Sequence, residues 1–220
     1  MRAKFWHHRW ERNEIGFHQS NINTHLEKYW TQCHVPRSSQ IFVPLCGKTL
    51  DMLWLAGEDH QVLGVELSQI AVEAFFEENK LAPFTKTIQE AFTCWKKDEI
   101  QILEGDLFKT TKDHLADIKA VYDRASLVAF PRDMRLDYIG HLFSILPKDT
   151  KILLVAFEYP ETPEMPGPPF SVSEAEVSEL YGQRCNIQLL DTIDILKDTP
   201  RFQGKVSYFL EKVYLIHFLG

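Results

Sequence analysis

The chain has 220 residues, 24 of them Lys or Arg against 31 Asp or Glu, for a formal charge of −7 at neutral pH and a hydrophobic content of 45%. This length suits one α/β domain with a sizeable core, and an acidic balance with no evident basic face excludes non-specific binding to nucleic acid. The N-terminal MRAKFWHHRWERNE has no apolar signal region, and no segment nears the roughly 18 apolar residues of a membrane span. Cys33, Cys46, Cys94 and Cys185 lack paired spacing and read as reduced thiols. The expectation is a cytoplasmic protein, monomeric by default, with no nucleic-acid or membrane partner.

In chain order, residues 3–35 read as helical around a loop at 14–19. Phe5, Trp6, Arg9 and Trp10 lie at helical spacing, and a stronger stripe of Ile22, Leu26, Tyr29, Trp30 and Cys33 begins after Ser20 and Asn21, both good N-caps. A first strand is expected over Ile41–Leu45. A helix follows from near Thr49 to Gly57, with Asp51 in its positive first turn. Val62–Leu67 is a nearly continuous apolar run suited to a sheet covered on both faces, and Ser68 to Asn79 reads as helix. Residues 91–104 suit a hairpin around Lys96-Lys97-Asp98, ending in the acidic turn Glu104-Gly105-Asp106.

Further strands are expected over Ala120–Asp123 and Lys151–Phe157, with a helix from Asp133 to Leu146 between them. Five prolines between Tyr159 and Pro169 exclude helix and central strand, which leaves a stiff surface loop. Ser173 and Glu176 form a capping box that opens the next helix. Ile187–Ile195 and Lys205–Phe218 look like an antiparallel pair. Alternating strands and helices imply an α/β fold with a doubly wound, mostly parallel sheet and an antiparallel C-terminal end. The reading is a single domain over 1–220, with residues 1–35 as a helical cover over the sheet's C-terminal edge and 40–220 as the α/β core.

The most informative stretch is IFVPLCGKTLDMLWLAGEDHQVLGVE, from Ile41 to Glu66. It is a buried strand, a glycine turn, a short helix, a second strand and then a carboxylate. An acidic residue about twenty positions past such a turn grips ribose hydroxyls in nucleotide-binding α/β folds. The turn has a single glycine, Gly47, where a pyrophosphate site needs three, so the ligand carries a ribose but no pyrophosphate. That points to S-adenosylmethionine. Gly47-Lys48-Thr49 also mimics the end of a P-loop, but the first glycine of that motif would fall at Phe42.

Five segments in order then show a resemblance. They are Trp6-x-x-x-Trp10 with Gly16-Phe17-His18-Gln19; Val43-Pro44-Leu45-Cys46-Gly47-Lys48; Gly64-Val65-Glu66-Leu67-Ser68; Tyr122-Asp123-Arg124-Ala125; and Pro166-Gly167-Pro168-Pro169-Phe170. Across nearly its full length the chain resembles the thiopurine S-methyltransferase family. The resemblance implies a class I methyltransferase (Rossmann-like) fold and methyl transfer from S-adenosylmethionine, leaving S-adenosylhomocysteine, to the sulfur of thiopurines and other aromatic or heterocyclic thiols. It also implies an alternative: methylation and detoxification of selenium or tellurium compounds, which bacterial members have been linked to.

Carried over by position, Trp10, Leu45, Glu66 and Arg124 would contact the cofactor, Asp106 and Leu107 would hold the adenine, and Phe17 would stand at the acceptor's entrance. Asp106 departs from relatives that carry a smaller hydroxyl residue there. Glu66 would accept from both ribose hydroxyls, and the missing Cβ of Gly47 would let the methionine part approach. Trp10 would close over the sulfonium, with Trp6 packing the terminal helix. Arg124 would bind the cofactor carboxylate or steady a thiolate. His18 reads as a loop residue near the acceptor and His7 and His8 as surface, with no metal-ligand spacing among them.

The expected mechanism is direct in-line transfer to a small-molecule thiol reacting as thiolate, which needs little base assistance. One rival, a nicotinamide oxidoreductase, lacks its glycines. Another, a catalytically silent binding module using the proline loop, would be expected to have lost some of Trp10, Leu45, Glu66 and Arg124, and all are present.

Overall fold

Strand β1 (Gln40–Pro44) is apolar and buried after Gln40, as suits a sheet covered on both faces. Its side chains alternate: Ile41 and Val43 join one hydrophobic cluster and Phe42 the other. The fold comes from a computed structural model that describes residues 3–89 and 91–220. Among these, nine strands form one sheet in the order β3-β4-β5-β2-β1-β6-β7-β9-β8. The remaining strands are β2 (Gln61–Glu66), β3 (Thr85–Gln89), β4 (Phe92–Lys97), β5 (Ile100–Glu104), β6 (Ile118–Asp123), β7 (Lys151–Glu158), β8 (Cys185–Asp194) and β9 (Leu210–Phe218). The central five run parallel, β5-β2-β1-β6-β7, and an antiparallel pair closes each end.

The helices are α1 (Ala3–Glu11), α2 (Thr24–Tyr29), α3 (Asp51–Gly57), α4 (Gln69–Glu78), α5 (Arg132–Ile145) and α6 (Glu174–Tyr181). One face of the sheet is covered by α2, α3 and α4 through Leu26, Tyr29, Met52, Leu55, Phe75 and Phe76. The other is covered by α5 and α6 through Tyr138, Ile139, Leu142, Val177 and Tyr181. This is the doubly wound α/β arrangement expected from the sequence. Of the box at α6 the N-cap half forms, with Ser173 Oγ accepting from the Glu176 amide at 3.2 Å, while the Glu176 carboxylate accepts from Arg135 Nη1 at 2.6 Å.

Three expectations are corrected. The cap of α2 is Asn23, whose side chain accepts from the His25 amide, rather than Ser20 or Asn21; the chain stays irregular until it reaches the sheet face. That face, not the sheet's edge, is where α2 packs, so only α1 and the loop behind it reach over the C-terminal edge. Strand β9 starts at Leu210 rather than Lys205, because Phe202 and Phe209 leave the sheet direction to pack with Tyr159 and Met165 beneath the proline loop. Strand β3 was not anticipated at all. It is a wholly exposed edge strand of sequence TKTIQ, with no apolar face to betray it.

Candidate active site

β1 lies between β2 and β6, and the chain leaves it in opposite directions on its two sides. Such a switch point opens a crevice beyond the carboxyl ends of the strands. A cavity of about 670 Å³ occupies it, roofed by α1 and the 14–19 loop and floored by the strand ends. Trp10, Phe17, His18, Leu45, Gly47, Glu66, Asp106, Leu107 and Arg124 all line this one cavity.

The turn after β1 is built on positive backbone angles, φ 45° at Leu45 and 54° at Gly47. Glycine adopts this region freely; for a branched residue such as Leu45 it costs on the order of 1–3 kcal/mol. The turn is held by the Cys46 amide donating to Val65 O (3.0 Å) and by Glu66 at the end of β2. Glu66 Oε2 accepts from the Gly47 amide and Oε1 from the Ser68 amide, both at 2.8 Å. Glu66 is buried rather than a solvated strand end, and burial raises its carboxyl above the ordinary range while the two amides act against that rise. A carboxylate has about four acceptor positions, so each oxygen keeps one for a ligand hydroxyl. A Cβ at Gly47 would stand 3.3 Å from the Trp10 ring, so this glycine lets the buried tryptophan close on the turn.

At the other end of the crevice, Asp106 Oδ1 accepts from the Phe108 amide at 3.0 Å and caps the short 3-10 turn Leu107–Lys109. Leu107 is buried there and forms an apolar ledge. The exposed Asp106 thus has a local structural task besides any ligand contact.

On the acceptor side, Phe17 stands edge-on to both Trp6 and Trp10, each with ring centroids 5.7 Å away. Trp6, read from sequence as packing, is therefore part of the cavity wall. Arg124 Nη2 donates to Phe17 O at 3.4 Å, whereas its buried Nε has no partner, and no carboxylate of the described residues pairs with it. The loop carrying Arg124 is anchored from behind. Asp123 accepts from the Ser126 amide (3.0 Å) and the Tyr138 hydroxyl (2.6 Å), while Ser126 Oγ donates to Pro44 O at 2.8 Å. Burial, then the Lys48 charge, lowers the pKa of His18, so its imidazole is neutral at pH 7.

Tyr122, also in the wall, lies in the segment Tyr122-Asp123-Arg124-Ala125, but several lining residues carry no site signal in the sequence: Asp51, Phe157, Arg201, Phe209 and Glu211. They come from separated segments, and nothing local marks them. Asp51 was seen only as a helix-start carboxylate. It is instead buried, with Oδ2 accepting from Tyr122 OH (3.0 Å) and Oδ1 from the Asn23 amide (2.8 Å). Glu211 meets His25 Nε2 at 2.9 Å. Arg201 stacks over Phe202 at 4.3 Å, and burial together with Arg9 lowers its pKa.

The fold has solved counterparts. A 1,6-didemethyltoxoflavin-N1-methyltransferase from Burkholderia thailandensis, with bound 1,6-didemethyltoxoflavin and S-adenosylhomocysteine, superposes with a TM-score of 0.63 over 99% of this chain and 87% of its own, at 13% identity. A SAM-dependent methyltransferase from Methanosarcina mazei gives 0.60 over 90% and 99%, at 15% identity. These likenesses show the fold, the class I, Rossmann-like fold of enzymes whose cofactor is S-adenosylmethionine. Three features of the crevice suit that cofactor: the remaining acceptor positions on Glu66, the glycine under Trp10, and the unpartnered Nε of Arg124.

The family model of thiopurine S-methyltransferase (TPMT) matches residues 1–218. A thiopurine S-methyltransferase from Nitrosospira multiformis is 50% identical over 217 residues, 98% of each chain, and one from Pseudomonas fluorescens is 45% identical over 98% of this chain and 99% of its own. The chain belongs to the thiopurine S-methyltransferase family.

Proposed function

We propose that the protein methylates the sulfur of thiopurines or other aromatic or heterocyclic thiols. Trp10, Leu45, Gly47, Glu66, Asp106, Leu107 and Arg124 hold the cofactor, and Phe17, His18 and Arg124 face the acceptor. The observation that carries this reading is the make-up of the acceptor side. Trp6, Phe17, Phe157 and Phe209 offer ring faces and edges, while Arg124 and Arg201 bring cations that no carboxylate of the described residues neutralises. A flat ring bearing a thiolate suits such a wall.

When bound, S-adenosylmethionine would supply an electrophilic methyl group on a sulfonium for direct transfer. The chain's own contribution is alignment and dryness: Trp10 on Gly47 and Phe17 against both tryptophans exclude water from the reacting centre. Neutral His18 is not needed as a base, because an acidic thiol arrives as its thiolate. Helix α1 and the 14–19 loop act as the lid, and the protein acts as a monomer. An acceptor panel tests the reading: 6-mercaptopurine, its oxygen counterpart hypoxanthine, selenite and tellurite. Turnover of 6-mercaptopurine well above the other three is expected; preferred turnover of selenite or tellurite would move the assignment to those elements.

A further inference from the structure

The geometry points to Asp51 as the residue that holds the α-ammonium of the cofactor's methionine part. This rests on the proposed cofactor site and takes, of the two partners left open for Arg124, the α-carboxylate of the cofactor. Asp51 is 1% exposed yet forms part of the cavity wall. Its two hydrogen bonds come from neutral donors, the Asn23 amide and the Tyr122 hydroxyl. No Lys, Arg or His of the described residues forms an ion pair with it. A carboxylate withdrawn from water and left without a countercharge is costly, so a cation from outside the chain is the natural complement.

The other buried carboxylates of the wall are already committed. Glu66 is aligned by two backbone amides and faces the ribose, and Glu211 is engaged by His25. Asp51 stands one turn of chain beyond Gly47, at the end of the crevice where the methionine part would lie. Tyr122 donates its hydroxyl to Asp51 and lies two residues before Arg124 in the chain, and all three line the cavity. Arg124 contributes a buried Nε with no partner. A carboxylate and a guanidinium on the wall of one cavity match the two ends of a zwitterionic amino acid. Each Asp51 oxygen carries one bond and has a second acceptor position, and an ammonium has three donors to fill them. The Asn23 amide on the same carboxylate joins this contact to the start of α2, next to the lid loop.

The test is calorimetric binding of S-adenosylhomocysteine and of its analogue lacking the α-amino group, S-adenosyl-4-thiobutyrate. Neither compound has a sulfonium, so the ammonium is read by itself. Native protein is expected to prefer S-adenosylhomocysteine by about 10- to 100-fold. Asp51→Asn should cut that preference to within about threefold while leaving affinity for the analogue near its original value. Tyr122→Phe, which keeps the carboxylate, should retain most of the preference and provides a readout independent of how Asp51→Asn folds. Equal binding of the two compounds by native protein overturns the assignment. So does an Asp51→Asn variant that weakens both compounds by the same factor, the mark of a merely structural residue. Absence of any S-adenosylhomocysteine binding would instead remove the cofactor placement itself.

Discussion

Removing the Glu66 carboxylate takes away acceptors for the Gly47 and Ser68 amides as well as for a ribose. Glu66→Gln sets an N–H against one of those amides and leaves fewer acceptors for hydroxyls. Bonds to a charged acceptor contribute roughly 1.5–3 kcal/mol, so the dissociation constant for S-adenosylhomocysteine should rise at least about tenfold by calorimetry; an unchanged value would return Glu66 to a structural role. Because burial raises this carboxyl, cofactor affinity should also fade with acid at a higher pH than an exposed glutamate would give. His18→Ala, by contrast, should turn over acidic thiols at close to the native rate. A dead variant with intact cofactor binding would show that the imidazole carries chemistry. At this scale the sequence was legible where a motif is local, as from Gly47 to Glu66. It assigned no site role to Asp51, Arg201 and Glu211, which acquire one only when distant segments meet.

Among the elements, the join between the 3-10 turn Trp30–Cys33 and His60, in the turn between α3 and β2, should be pH-sensitive. Trp30 Nε1 donates to His60 Nε2 at 3.0 Å, which requires a neutral imidazole, and burial lowers the His60 pKa below the ordinary 6.5. The unfolded chain therefore binds more protons as pH falls below about 6.5, so this pair's contribution is complete above that value and is lost on moving down towards the folded pKa. His60→Gln should flatten the fall in urea-unfolding free energy between about pH 7.5 and 5. Identical slopes in the two proteins would contradict this; His18 and His141, also lowered, are common to both. Elements with apolar runs, β1, β2, β6 and β7, were legible because both their faces are buried. Strand β3 and the true start of β9 were not, since one has no apolar face and the other is set by aromatic packing outside the sheet.

For the whole molecule, the doubly wound order places every assigned contact on one rim and leaves α1 as the cover. That helix meets the body through Trp10 on the Gly47 turn and through α4, and the following loop through the carbonyl of Phe17, which accepts from Arg124. Amide exchange in residues 5–19 should slow on adding S-adenosylhomocysteine; exchange there unchanged by ligand would remove the lid. The fold was legible as a whole because its strand–helix alternation is regular, whereas the division of the first 35 residues between lid and sheet cover was not, since both helices are amphipathic and only packing separates them. The most direct test of the account is transfer of labelled methyl from S-adenosylmethionine to 6-mercaptopurine, with a control lacking acceptor. Acceptor-dependent label on the sulfur is the predicted result. A protein that binds the cofactor but leaves the thiol unlabelled would contradict the thiol assignment.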